Sequence, residues 1–242
     1  MRFFFGIYKF ALTPFVLRDW LKYRKLPGGR EKRFSRTVFF PCVMDKTAAT
    51  SFDRHYIYHI AWAMRKVREI APAKHVDISS SLYFCSNLSA FIPVEFFDYR
   101  PPVLELPNLT CGKADLMKLD FPDDSISSLS CMHTIEHIGL GRYGDAIDPE
   151  GDRKALRELA RVTAKGGNLL IVVPVGRPSI EFNAHRIYSI ELIRNELPEF
   201  ELIEFTLIPR DEADGGLLVN ADSERVTRET YGCGCFHFVK KL

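Results

Sequence analysis

Residues 149–174 leave this chain little choice of fold. Leu156, Leu159, Ala160 and Val162 fall on one face at helical spacing, and Asn168-Leu-Leu-Ile-Val-Val-Pro174 follows as an unbroken aliphatic run. An amphipathic helix feeding a strand that is apolar on both faces belongs to a parallel sheet covered by helices on each side. Gly166-Gly167 between them reads as the C-cap of the helix, 149–164.

The same alternation runs through the rest of the sequence. Ile57, Ile60, Ala61, Met64 and Val67 recur at helical spacing over 51–70, and Pro72 ends that helix. Segments 74–78, 93–98 and 125–132 read as strands, with a helical stretch between the first two. Residues 189–197 are helical, 200–208 alternate apolar with polar as a strand does, and 236–240 form the last strand. Strands interleaved with helices predict an α/β fold, a doubly wound and mostly parallel Rossmann-like sheet with helices on both faces. Such sheets bind ligands beyond the carboxyl ends of their strands, at a switch point.

Charge divides the chain unevenly. The net charge is +2, yet residues 1–36 carry ten Lys and Arg against Asp19 and Glu31, so the remainder is at −6. This predicts a basic, aromatic arm over 1–36 and one domain over 37–242, with Lys25-Leu-Pro-Gly-Gly-Arg30 as the clearest linker signal. Residues 1–17 are apolar and aromatic but are interrupted by Lys9 and Pro14. The run is shorter than the roughly 20 residues a spanning helix needs, and no small-residue cleavage site follows, so neither a membrane span nor a signal peptide is expected. Arg18, Lys22, Arg24, Lys25, Arg30, Lys32, Arg33 and Arg36 come next. Apolar residues followed by basic ones suit peripheral contact with an anionic membrane surface, while a helix packed on the domain with a solvated basic tail explains them equally. The six cysteines are scattered, with only Cys233 and Cys235 close. They read as reduced cytosolic thiols, and no metal ligands are assigned.

Three stretches go beyond pattern. Ala155-Leu-Arg-Glu-Leu-Ala-Arg-Val-Thr-Ala-Lys-Gly-Gly-Asn-Leu-Leu-Ile-Val-Val-Pro174 resembles the helix, turn and strand of class I methyltransferases. Asp115-Leu-Met-Lys-Leu-Asp-Phe-Pro-Asp-Asp-Ser125, continued by Ser130-Cys-Met-His-Thr-Ile-Glu-His-Ile138, resembles their segment around the fourth strand, and His185-Arg-Ile-Tyr-Ser189 the one before their penultimate helix. More narrowly, the chain resembles a domain-of-unknown-function family first described in nematodes and also met in bacteria. The resemblance implies S-adenosyl-L-methionine as cofactor and a small-molecule acceptor, with O-methylation of a glycan or glycolipid as the narrower expectation. Residue by residue, it implies that Asp77 ends the first strand at the cofactor, that Asp98 accepts from the ribose hydroxyls, and that Asp115 and Leu116 meet the adenine. One departure stands out. The family's Asp-x-Gly-x-Gly is here Asp77-Ile-Ser79-Ser80-Ser81, so Ser79 and Ser81 replace the glycines that let the backbone approach the cofactor.

Acid–base candidates at the carboxyl edge are His133, Glu136, His137 and His185; His75 starts a strand and reads as structural. The glycine-rich acidic stretch 139–154 suits either a polyhydroxyl acceptor or a divalent ion, or simply caps the next helix. No Asp/Asn-Pro-Pro-Tyr motif follows Met132, which argues against methylation of nucleic-acid bases. Two other functions remain open. A binding scaffold that has lost the cofactor would explain the missing glycines. His133-Thr-Ile-Glu-His137 spells a zinc-peptidase pattern, which requires an α-helix to aim both imidazoles at one metal.

Overall fold

The computed structural model describes residues 2–26, 37–43 and 45–242, with side chains from residue 13 onward. Two compact units divide the chain, Met1–Phe52 and Asp53–Leu242. In the first, α1 (Arg2–Lys25) carries both the aromatic run and the first basic residues on one helix. The Lys46 ammonium holds the Asp19 carboxylate at 2.8 Å, and the rings of Trp20 and Tyr23 stack at 6.1 Å. Among the described residues no helix is long and apolar enough to cross a membrane. Positions 27–30 of the expected linker, and Arg30, Lys32, Arg33 and Arg36 of the basic cluster, lie outside the described residues.

The second unit is the predicted sheet. Its strands are β1 (His75–Ile78), β2 (Val94–Asp98), β3 (Leu109–Lys113), β4 (Ile126–Met132), β5 (Thr163–Val175), β8 (Phe200–Ile208), β9 (Leu218–Val219) and β10 (Gly232–Lys240). They lie in the order β3-β2-β1-β4-β5-β10-β8-β9. Strands β3, β2, β1, β4 and β5 are mutually parallel, and β10 runs antiparallel between β5 and β8. A separate hairpin, β6 (Ser179–Glu181) with β7 (His185–Ile187), rises after β5. The chain leaves β1 in one direction toward β2 and β3 and returns to β4 on the other side, which opens the switch point between β1 and β4.

Side-chain alternation builds a core on each face. Leu169, Ile171, Val173 and Val175 of β5 pack with Leu156, Leu159 and Val162 of α4 (Gly151–Val162) and Ile193 of α5 (Ile190–Asn195). The intervening Leu170 and Val172 face Trp62, Ala63 and Val67 of α2 (Arg54–Ile70) and Phe84 and Leu88 of α3 (Leu82–Leu88). Helices therefore cover both faces, as expected. The Asp53 carboxylate caps α2 by accepting the Tyr56 N–H at 3.1 Å, and Ser189 caps α5 through Leu192.

The structure corrects one expectation of local geometry. Gly166 and Gly167 do not cap α4, which ends at Val162. Thr163 already pairs with Ile126, and the register shifts before Asn168 pairs with Ser128. The two glycines lie in the resulting bulge, where Gly166 takes a φ of 71°.

Candidate functional site

The carboxyl ends of β1 and β4 meet across the switch point. Asp77 is fully buried at the end of β1. It accepts the Ser80 N–H at 3.0 Å and the Ser130 hydroxyl, which ties the loop after β1 to β4. Burial pushes its carboxyl up to about 6. Thr134 donates to the Ser79 carbonyl at 2.7 Å, and Met132 N–H donates to Ser80 Oγ at 2.9 Å, adding two more ties.

Ser79 adopts the left-handed φ of 58° that a glycine would take freely. Its hydroxyl donates to the Phe97 carbonyl at 3.2 Å, so the side chain offsets part of the strain. Ser81 has moved to another task, since its hydroxyl caps α3 by accepting the Tyr83 N–H at 3.3 Å.

A cleft of about 360 Å³ opens at this edge, and Ser79, Asp98, Asp115, Leu116, His133 and His137 all line it. Asp98 ends β2 and accepts the Arg100 N–H at 2.7 Å. Asp115 accepts the Met117 N–H at 2.9 Å. Six of the ten sequence-predicted site residues are thus brought together. Glu136 stands behind them, and Asp77 and Ser81 support the loop without lining the cleft. His185 does not line this cleft; its ring packs 4.9 Å from that of Tyr231.

A second cleft of about 450 Å³ adjoins the first and shares Tyr56, His133, His137 and Tyr143 with it. His55, Glu136, Arg142 and Tyr231 are among its own walls. Glu136 is 1% exposed and sits between two imidazoles, 3.0 Å from His133 Nδ1 and 3.7 Å from His137 Nε2. His133 has both nitrogens engaged, because its Nε2 lies 3.5 Å from Cys233 Sγ. Burial lowers the His133 pKa, and the Glu136 carboxylate at Nδ1 opposes it and turns the net direction upward.

His137 is different. Its Nδ1–H donates to the Ala184 carbonyl at 2.6 Å, which leaves Nε2 as the basic nitrogen. Burial lowers its pKa, so the ring is neutral near pH 7. His75 is the structural residue expected, buried between Ser128 and Ser130 at 2.8 and 2.9 Å.

The acidic loop after β4 folds on itself. Asp145 accepts the N–H groups of Gly139, Gly141 and Tyr143 at 2.8, 3.2 and 3.2 Å, and Asp148 binds Lys154 at 2.6 Å. Gly139 is required there, with a φ of 79° and only 2.0 Å between a built Cβ and the Asp148 carbonyl. Residues 135–137 form a single 3-10 turn, so the α-helix that the zinc-peptidase pattern needs is not present.

Sequence reasoning missed the walls supplied from a distance: His55 and Tyr56 at the start of α2, Tyr143 in the loop, and Tyr231 before β10. The i, i+4 pair His55 and His59 was a visible signal for α2.

A family profile described as "Caenorhabditis protein of unknown function, DUF268" matches residues 118–207. No curated protein matches the chain. Among solved structures, the chain is similar to the YcgJ protein from Bacillus subtilis, at 16% identity and a TM-score of 0.54, covering 77% of this chain and 99% of that one. The N-methyltransferase NodS from Bradyrhizobium japonicum, in complex with S-adenosyl-L-homocysteine, gives 10% identity and a TM-score of 0.54, covering 77% and 87%. A SAM-dependent methyltransferase from Thermotoga maritima gives 17% and 0.51, covering 78% and 94%.

Proposed function

From the class I methyltransferase fold that the chain shares with those structures, we propose that it transfers a methyl group from S-adenosyl-L-methionine to a small acceptor, specifically a hydroxyl of a glycan or glycolipid. The observation that carries this reading is the cleft at the switch point, where Ser79, Asp98, Asp115 and Leu116 converge. The residues fit the cofactor. A carboxylate accepts several donors at once, which suits Asp98 to two ribose hydroxyls, and Asp115 with the Leu116 backbone suits the adenine edge. Ser79 keeps the backbone path beside the methionine part.

When bound, the cofactor supplies an activated methyl group on a sulfonium. The chain's share is position, exclusion of water and handling of one proton. His137 Nε2 takes the proton of the acceptor hydroxyl as that oxygen attacks, and Ala184 holds the ring by its other nitrogen. Glu136, 3.7 Å from Nε2, stabilises the imidazolium that results. In the adjoining cleft, the rings of Tyr56, Tyr143 and Tyr231 offer flat faces for a sugar, and Arg142 offers donors to its oxygens. The basic residues of α1 support a place for the enzyme at an anionic membrane surface, where a glycolipid would be met.

Calorimetric titration with S-adenosyl-L-methionine and S-adenosyl-L-homocysteine tests the reading. Asp98→Ala should weaken binding by about 10- to 150-fold, the equivalent of losing charge-assisted hydrogen bonds worth about 1.5–3 kcal/mol. Equal affinity in a normally melting variant would remove Asp98 from the ribose. No heat from either ligand with the wild-type protein would remove the methyl-transfer reading.

A further inference from the structure

The geometry points to a metal site that methyl transfer does not use: we propose that His55, His133 and Cys233 bind a divalent transition metal, zinc foremost, in the wall of the acceptor cleft. Three separate elements deliver these residues. His55 comes from the first turn of α2, His133 from the end of β4 and Cys233 from the start of β10. One donor atom from each lies within 4.8 Å of the other two. His133 Nε2 and Cys233 Sγ are 3.5 Å apart. With Zn–S near 2.3 Å and Zn–N near 2.0–2.1 Å, two ligands on one edge of a tetrahedron stand about 3.5 Å apart.

The surroundings have the features that such a site needs. His133 Nδ1–H donates to Glu136 Oε1 at 3.0 Å, so Nε2, on the side of Cys233, is the nitrogen that gives up its proton to a metal. A carboxylate behind an imidazole ligand is the usual device that fixes its tautomer and strengthens its basicity. Glu136 Oε2 is buried without a hydrogen-bond partner. His59 repeats the theme: its Nδ1–H donates to the His55 carbonyl at 2.7 Å, and its Nε2 is buried without a partner. The His59 ring stands edge-on to His133 at 5.0 Å. Buried polar atoms left without partners are rare, and two of the three among the described residues belong to side chains that touch His133. A cation there gives the Cys233 sulfur and the two imidazole nitrogens a common partner, and Glu136 behind His133 offsets its charge.

The donor set selects the metal. Two imidazoles and a thiolate suit zinc, and cobalt in its place, whereas magnesium and calcium require oxygen ligands. The site uses His133 but not His137, so it is not the zinc-peptidase pattern of the sequence. His55 and His133 both line the acceptor cleft, so a metal held by them would sit at its wall. That last placement rests on the methyl-transfer reading; metal binding itself does not.

The test is titration of the full, chelator-stripped chain with cobalt(II), followed by displacement with zinc(II). One equivalent should bring up a near-ultraviolet thiolate-to-cobalt charge-transfer band and the intense visible bands of a four-coordinate ion, and zinc should abolish both. Cys233→Ser should lose the near-ultraviolet band, and Cys235→Ser should keep it. Glu136→Gln should keep it while binding about 10- to 100-fold more weakly. The melts of the metal-free variants show which of them fold, and the wild-type titration decides without any variant. A wild-type chain that develops no band at stoichiometric cobalt overturns the site, as does a band that survives in Cys233→Ser. Calorimetry with S-adenosyl-L-homocysteine on stripped and zinc-loaded protein separates the two readings. Donor binding without metal uptake removes only the metal site, and metal uptake without donor binding removes only methyl transfer.

Discussion

Ser79 holds a φ of 58° at the place where the resembling family carries glycine. A left-handed non-glycine residue costs about 1–2 kcal/mol, so the fold tolerates strain there instead of relaxing the loop away from the cleft. The ties from Thr134 and Asp77 to this loop show how the strain is held. His137 is the general base of the proposed reaction. His137→Ala should lower methyl transfer to acceptors in a cell extract by about 100- to 10,000-fold and leave donor affinity nearly intact, because a general base acts only in the chemical step. Transfer at the wild-type rate would exclude His137 as the base. The positions of Asp98 and Asp115 at the cleft were legible because Asp98 closes a readable strand and Asp115 opens the segment that resembles the methyltransferase pattern. The separate roles of His133 and His137 were not, since which nitrogen each ring commits depends on Ala184 and Cys233, 47 and 100 residues away.

Elements with strong periodicity were legible and weakly buried ones were not. The helix and strand around 149–174 carry their apolar positions in sequence, and the motif residues between them have a visible purpose. Glu158 accepts the Leu119 N–H at 2.7 Å, and Arg161 donates to the carbonyls of Leu119 and Phe121, both at 2.8 Å. The pair fastens α4 to the segment leading into β4. Strand β3, by contrast, buries only Leu109 fully, and the β6–β7 hairpin exposes every residue of β6, so neither shows an alternating apolar pattern. The Gly166-Gly167 pair was misread because a left-handed glycine serves a bulge as well as a helix end. Helix α1 carries the one prediction at this scale. Phe15, Leu17, Leu21 and Tyr23 are exposed, and Lys22, Arg24 and Lys25 close its last turn. The full chain should therefore co-sediment with anionic vesicles at low salt and release at high salt, and replacing the three cations by Glu should abolish sedimentation. Equal sedimentation of the wild type and the triple variant would give the helix another role.

Whole-molecule stability depends on a polar chain buried across β1 and β4. The Ser130 hydroxyl donates to Asp77 and accepts from His75 Nε2–H at 2.9 Å, and Ser128 donates to His75 Nδ1 at 2.8 Å. Burial pushes His75 down to about 3 and Asp77 up to about 6. Their linkages to folding have opposite signs. His75 stays neutral in the fold, so its contribution is complete above the unfolded value of 6.5 and is lost as pH falls toward 3. Asp77 is protonated in the fold below about 6, while the unfolded carboxyl waits until 3.8. Its contribution is complete below 3.8 and is lost as pH rises through 6. Between pH 6 and 4 each amounts to about 1.4 kcal/mol per pH unit, and the two cancel. Asp77→Asn removes one side of that balance and keeps the shape of the side chain. Relative to wild type, the variant should lose about 1.4 kcal/mol of stability for each pH unit from 6 down to 4. Urea unfolding midpoints, taken at matched m values across that range, measure the difference. Parallel pH profiles for the two proteins would show that Asp77 takes up no proton in the folded chain, and the coupling through Ser130 would then be one of geometry alone.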